Sequence, residues 1–137
     1  MKKIFILITI SIFIVSCNRV EKEVQGGWVI DQAYYYDEPV IWDLYGNGMS
    51  LRKDKTCHLP AISEFHERTP EEETGTWKVF KKDNISYLEI KTHNWIFNRT
   101  FEIQNLRKVQ DSISWGYLMK MTLMSDSLKL DCTRPIY

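Results

Sequence analysis

The sequence has no excess charge of either sign: eighteen Lys and Arg balance eighteen Asp and Glu over 137 residues. A nucleic-acid binder would carry a basic stripe, so nucleic acid is not expected as a partner. There is no Gly-x-Ser-x-Gly elbow and no glycine-rich loop to cradle phosphate. No pair among the three histidines has the i, i+4 spacing of a zinc helix. No catalytic residue, metal ligand or cofactor is therefore assigned, and the chain reads as non-enzymatic. The apolar run Ile4 to Val15 is also too short to span a bilayer. As a helix its residues would rise about 18 Å, against a hydrocarbon core of about 30 Å. What remains is an ordinary globular composition, 44% hydrophobic and 26% charged, with aromatics high at 13%. The length suits one domain.

Lys2 and Lys3 precede that apolar run, and a positive start before a short apolar stretch reads as a secretory signal peptide over residues 1–16. Its exit, Ile14-Val15-Ser16-Cys17, resembles the lipobox of bacterial lipoproteins. The resemblance implies diacylglycerol on the Cys17 thiol, cleavage before Cys17, and acylation of the new amino terminus, with palmitate among the chains. At about 0.8 kcal/mol per buried methylene, several chains give near-permanent attachment to the membrane. The expected location is the bacterial cell envelope. By analogy with enterobacterial sorting, Asn18 in place of an acidic residue favours the outer membrane over the inner. Cleavage removes two lysines and leaves sixteen bases against eighteen acids, a balance of −2. Residues 17–25 read as the lipidated cysteine followed by a polar tether without an apolar face.

Residues 26–137 read as one β domain. Short alternating or β-branched runs predict eight strands, near 27–36, 39–45, 48–55, 75–82, 85–91, 96–107, 113–124 and 127–133. Turn residues separate several of them: Gly46-Asn47-Gly48, Asp83-Asn84 and Ser125-Asp126-Ser127. Eight sequential strands on short turns predict an all-β, up-and-down antiparallel barrel, whose closure removes exposed edges. In 113–124 the predicted inward face is Trp115, Tyr117, Met119, Met121 and Leu123.

Several of these residues carry a family pattern. Gly26-Gly27-Trp28 is similar to the Gly-x-Trp motif on the first strand of lipocalins. Gly75-Thr76-Trp77 repeats it on a middle strand, and Trp42-Asp43-Leu44-Tyr45-Gly46-Asn47-Gly48 resembles the family's first hairpin. The chain thus resembles the lipocalin-like lipoproteins of bacteria over most of residues 26–134. The resemblance implies that Arg134 covers Trp28 and gains about 0.5–2 kcal/mol of cation–π attraction.

Trp28, Trp42, Trp77, Phe97, Phe101, Trp115 and Tyr117 are the candidate residues for binding an apolar ligand or lipid, or else they fill a small barrel. Tyr34-Tyr35-Tyr36 must alternate faces, which leaves at least one tyrosine outside. The long segment from His58 to Thr74 holds Glu64, Glu67, Glu71, Glu72 and Glu73 beside His58 and His66, and it reads as a solvated acidic lid. Cys57 and Cys132 form an even pair in an oxidising compartment, so either they bridge or they are two buried thiols. In an up-and-down barrel their strands, the third and the eighth, are not neighbours. The leading functional expectation is a lipid-anchored binder of a small apolar molecule. The alternative is a protein-binding module such as an inhibitor or immunity protein. A filled interior under an exposed aromatic patch would favour the alternative.

Overall fold

Alternating apolar and polar side chains commit most of the chain to strands. A computed structural model describes residues 19–62 and 69–136. The expected signal segment 1–16, Cys17, and Glu64, His66 and Glu67 of the acidic loop lie outside the described residues. A short helix, α1, covers 19–24. It is followed by β1 (Gly26–Tyr35), β2 (Glu38–Pro39), a 3-10 turn (Ile41–Asp43), β3 (Leu44–Tyr45), β4 (Gly48–Leu51), β5 (Thr56–His58) and β6 (Ala61–Ile62). Then come α2 (Pro70–Glu73), β7 (Thr74–Lys82), β8 (Ile85–Thr92), β9 (Arg99–Gln110), β10 (Tyr117–Met124) and β11 (Leu128–Ile136). The strands β1, β4, β5, β7, β8, β9, β10 and β11 pair antiparallel in that order, and β11 returns to pair with β1. The fold is a closed, eight-stranded, up-and-down antiparallel barrel, as the sequence predicts.

The barrel is filled by its own side chains. Trp28, Ile30 and Ala33 of β1 point inward, with Met49 and Leu51 of β4, Trp77 of β7, Leu88 and Ile90 of β8, Phe101 of β9, Met121 and Leu123 of β10, and Leu128 and Leu130 of β11. Each is at most 2% exposed, and full burial of such a side chain is worth about 1.5–3 kcal/mol. Alternation along β1 skips a step at a bulge between Ile30 and Gln32, so Asp31 and Gln32 both face out. A second irregularity sets Met121 of β10 opposite a β9 segment that includes Asn105, at φ +53.

Four predictions are corrected. Residues 39–45 are not a barrel strand. Pro39 has no N–H to donate, and after it the chain tightens into the 3-10 turn, throwing Trp42 outward at 89% exposed. The expected hairpin around Gly46-Asn47-Gly48 is absent; β3 pairs with β6, and β4 pairs with β1. The predicted strand 48–55 stops at Leu51, because Arg52–Lys55 is a turn with Lys55 at φ +70; the chain re-enters the barrel as β5. Residues 19–24 are not a tether. Val20 and Val24, one helical turn apart, put an apolar edge of α1 on the core, with Val24 fully buried.

Antiparallel order sorts the connections to two ends. The β4–β5, β7–β8 and β9–β10 turns lie at the end where β1 starts, together with α1 and the close of β11. The β1-to-β4 connection, α2, the β8–β9 connection and the β10–β11 turn lie at the other end.

Candidate functional site

The seven aromatic candidates do not converge. Trp28, Trp77, Phe97 and Phe101 belong to one buried core. A void wide enough for a ligand would leave accessible surface on its lining, and Phe97 and Phe101 have none. Trp42, Trp115 and Tyr117 are outside, which corrects the inward face expected for 113–124. The parity is right for Met119, Met121 and Leu123, but β10 begins only at Tyr117. Ahead of it Asp111 accepts hydrogen bonds from the Ile113 amide (3.1 Å), the Ser114 amide (3.2 Å) and the Ser114 hydroxyl, folding 111–116 into a turn. These bonds, the hydroxyl's first, hold the Asp111 carboxyl below the usual carboxylate range.

The two Gly-x-Trp copies build matching closures at the α1 end. Trp28 Nε1 donates to the Val24 carbonyl at 2.7 Å, and Trp77 Nε1 donates to the Arg52 carbonyl at 2.9 Å. The Arg134 guanidinium lies 4.9 Å from the Trp28 ring, and Lys55 Nζ lies 4.5 Å from the Trp77 ring. Arg134 also donates to the carbonyls of Gln25 (2.8 Å) and Glu23 (2.7 Å), and Lys55 pairs with Glu21, so both cations clamp α1 onto the barrel. The glycines permit this closeness. A Cβ on Gly26 would stand 2.5 Å from Arg134 Nη1, and one on Gly75 would stand 2.5 Å from the Lys91 carbonyl oxygen.

Cys57 and Cys132 are free and buried, on the third and eighth strands of the barrel. Of the two alternatives, bridge or separate buried thiols, the structure has the second. Burial pushes the Cys57 thiol up to about 11 and the Cys132 thiol higher still, so both are protonated and unreactive at neutral pH.

The two ends differ in charge. At the first end α1 brings Arg19 and Lys22 with Glu21 and Glu23, and the β4–β5 turn brings Arg52, Lys53 and Lys55 with Asp54. The β7–β8 hairpin adds Lys81 and Lys82 with Asp83, the β9–β10 hairpin Arg107 and Lys108 with Asp111, and β11 adds Arg134. Bases outnumber acids there ten to five. A groove of about 1090 Å³ opens between α1 and the ends of β9, β10 and β11, where five bases (Arg19, Lys22, Arg107, Lys108 and Arg134) face one acid, Glu23, which pairs with Arg19. At the second end the described connections carry Asp37, Glu38, Asp43, Glu71, Glu72, Glu73 and Asp126, and the flanking strand ends add Lys91, Arg99 and Lys129, so acids predominate there.

The acidic end is also aromatic. Tyr36 and Asp37 form a two-residue turn between β1 and β2, both at positive φ, with Tyr36 68% exposed. Tyr35 meets Tyr36 edge-on at 4.7 Å and Trp95 edge-on at 5.6 Å, and Arg99 lies 5.7 Å from the Tyr35 ring. Trp42 and Tyr45 are exposed on the same connection as Tyr36. Trp95 and Ile113 carry no motif in the sequence. The usable signal was an isolated large apolar residue between turn formers, as in Asp111-Ser112-Ile113-Ser114. No family model, no curated protein and no solved structure matches the chain.

Proposed function

We propose that this protein is a lipid-anchored, non-enzymatic binding module of the bacterial envelope, and that its acidic, aromatic end engages a protein partner. The reading follows the lipobox-like Ile14-Val15-Ser16-Cys17 for attachment and the lipocalin-like pattern for the barrel. The observation that carries it is the pairing of a filled interior with the exposed Tyr36, Trp42 and Tyr45 of the acidic end. Core side chains at 0–2% exposure leave no room for a guest, which favours a protein partner over an apolar ligand held inside the barrel. Tyr and Trp supply much of the energy of protein interfaces, and carboxylates around them select a basic partner surface and speed its approach. Arg99 and Asp126, 3.8 Å apart, sit at the rim of that patch.

Native mass spectrometry of the protein extracted from its own membrane tests the proposal. The expected result is a stoichiometric protein adduct that disappears when Tyr36 and Trp42 are both replaced by Ala. A retained small apolar molecule, unaffected by those two substitutions, would overturn it in favour of a ligand-binding barrel.

A further inference from the structure

The β9–β10 hairpin ends in the most exposed apolar residues of the cationic end. Ile113 is 90% exposed and Trp115 82%, and Tyr117 below them lies 4.0 Å from Lys108 Nζ. Neither tip residue serves the fold. Trp115 has φ +59, a conformation that costs an L-residue energy and that Gly or Asn adopts more readily. A bulky indole held in that backbone, in water, with Asp111 fixing the turn beneath it, points to a contact outside the molecule.

The surroundings specify that contact. Just behind the tip, Arg107 and Lys108 line the groove with Arg19 and Lys22 of α1. Trp at a tip backed by Lys and Arg is the composition that lodges at a membrane–water interface among anionic headgroups. The sequence adds position. Arg19, two residues after the expected anchor Cys17, is among the residues that line the groove. We infer that the cationic end is a membrane-docking face for anionic lipid headgroups, with Ile113 and Trp115 inserting into the leaflet that holds Cys17. The inference rests on the reading that Cys17 is lipidated. It stands the barrel upright and turns the acidic, aromatic end away from the lipid.

The test uses the lipidated protein reconstituted in vesicles whose phospholipids carry brominated chains, with tryptophan emission as the readout. In vesicles rich in phosphatidylglycerol, emission is expected to be quenched. Trp115→Phe should remove most of that quenching, while Trp42→Phe should leave it in place. Reversing Arg107 and Lys108 to Glu should lower the docked-to-undocked ratio at least about fivefold per charge, and pure phosphatidylcholine should dock the parent weakly. Equal quenching in parent and Trp115→Phe would overturn the inference, as would docking that is the same on both lipids and in the charge-reversed variant. The mass of the amino-terminal peptide from the same preparation reports the anchor separately. An unmodified Cys17 with Trp115 quenched removes the anchor and keeps the docking face. A lipidated Cys17 with Trp115 unquenched keeps the anchor and removes the docking face.

Discussion

Tyr36 and Trp115 stand at opposite ends of the barrel in the same unfavourable setting. Each is an exposed aromatic in a tight turn at positive φ, where Asn or Gly would be easier on the backbone. Their surroundings differ: Asp37 and Glu38 follow Tyr36, whereas the turn of Trp115 holds Asp111 and rises from a strand end that carries Arg107 and Lys108. The ends also differ in how they are sealed. The cationic end is plugged by α1, two tryptophans and two cations that grip backbone, ring and carboxylate. The acidic end is closed by Ile96 and Phe97 folding inward from the β8–β9 connection, with Asn94 Nδ2 tying it to the Pro60 carbonyl at 3.0 Å. At the cationic end some of the charges, Arg134 and Lys55, hold the fold together, while at the other the exposed groups lie outside the packed core.

The largest expected effect probes that asymmetry. Trp28→Ala should cost about 3–5 kcal/mol, because it opens a core cavity and releases both Val24 and Arg134. Trp42→Ala should change stability by no more than about 0.5 kcal/mol. Denaturant midpoints of the two variants decide this, and equal losses would erase the distinction between a buried and a displayed tryptophan. Arg134→Ala comes next, at about 2 kcal/mol, from two carbonyl contacts and one ring contact. Arg134→Lys should recover only part of that, since an ammonium cannot reproduce the forked contact. Trp115→Gly should shift stability by less than about 1 kcal/mol, because relief of the left-handed backbone offsets the entropy glycine adds to the unfolded chain. A large loss on thermal melting would show that Trp115 is structural.

The smallest effect is in pH. The folded Asp111 carboxyl lies below its ordinary value, so its contribution to the turn is complete above the ordinary carboxylate range. That contribution is lost as pH falls through the lowered folded value. The indole resonance of Trp115 should move over that acidic range in the parent and hold still in Asp111→Asn. A parent resonance that also stays still would mean the carboxylate does not order the tip.

Much of the barrel was legible because its signals are local. Trp28 and Trp77 declare themselves through Gly-x-Trp, and Asp83-Asn84 gives a turn with both residues at positive φ. The misreadings have physical causes. Val40, Trp42 and Leu44 alternate like a strand, yet β1 is flanked by β4 only as far as Val29, so the segment beyond it folds into short pieces. Helix α1 shows only Val20 and Val24, too few apolar residues to declare a helix without the barrel floor they cover. Trp115 continues the parity of Tyr117 and Met119, and parity alone cannot reveal where a ribbon leaves the barrel wall. The charge difference between ends was invisible in a chain of zero net charge, because only the order of the strands sorts its turns into two groups.

The central claim is that the barrel stands on its cationic end. The most direct test is energy transfer from single labels at positions 113 and 42 to acceptors on headgroups of the host membrane. An upright barrel places position 113 at the headgroups and position 42 about 20–25 Å farther away, the rise of a tilted ten-residue strand. Equal distances, or position 42 nearer the lipid, would contradict the account.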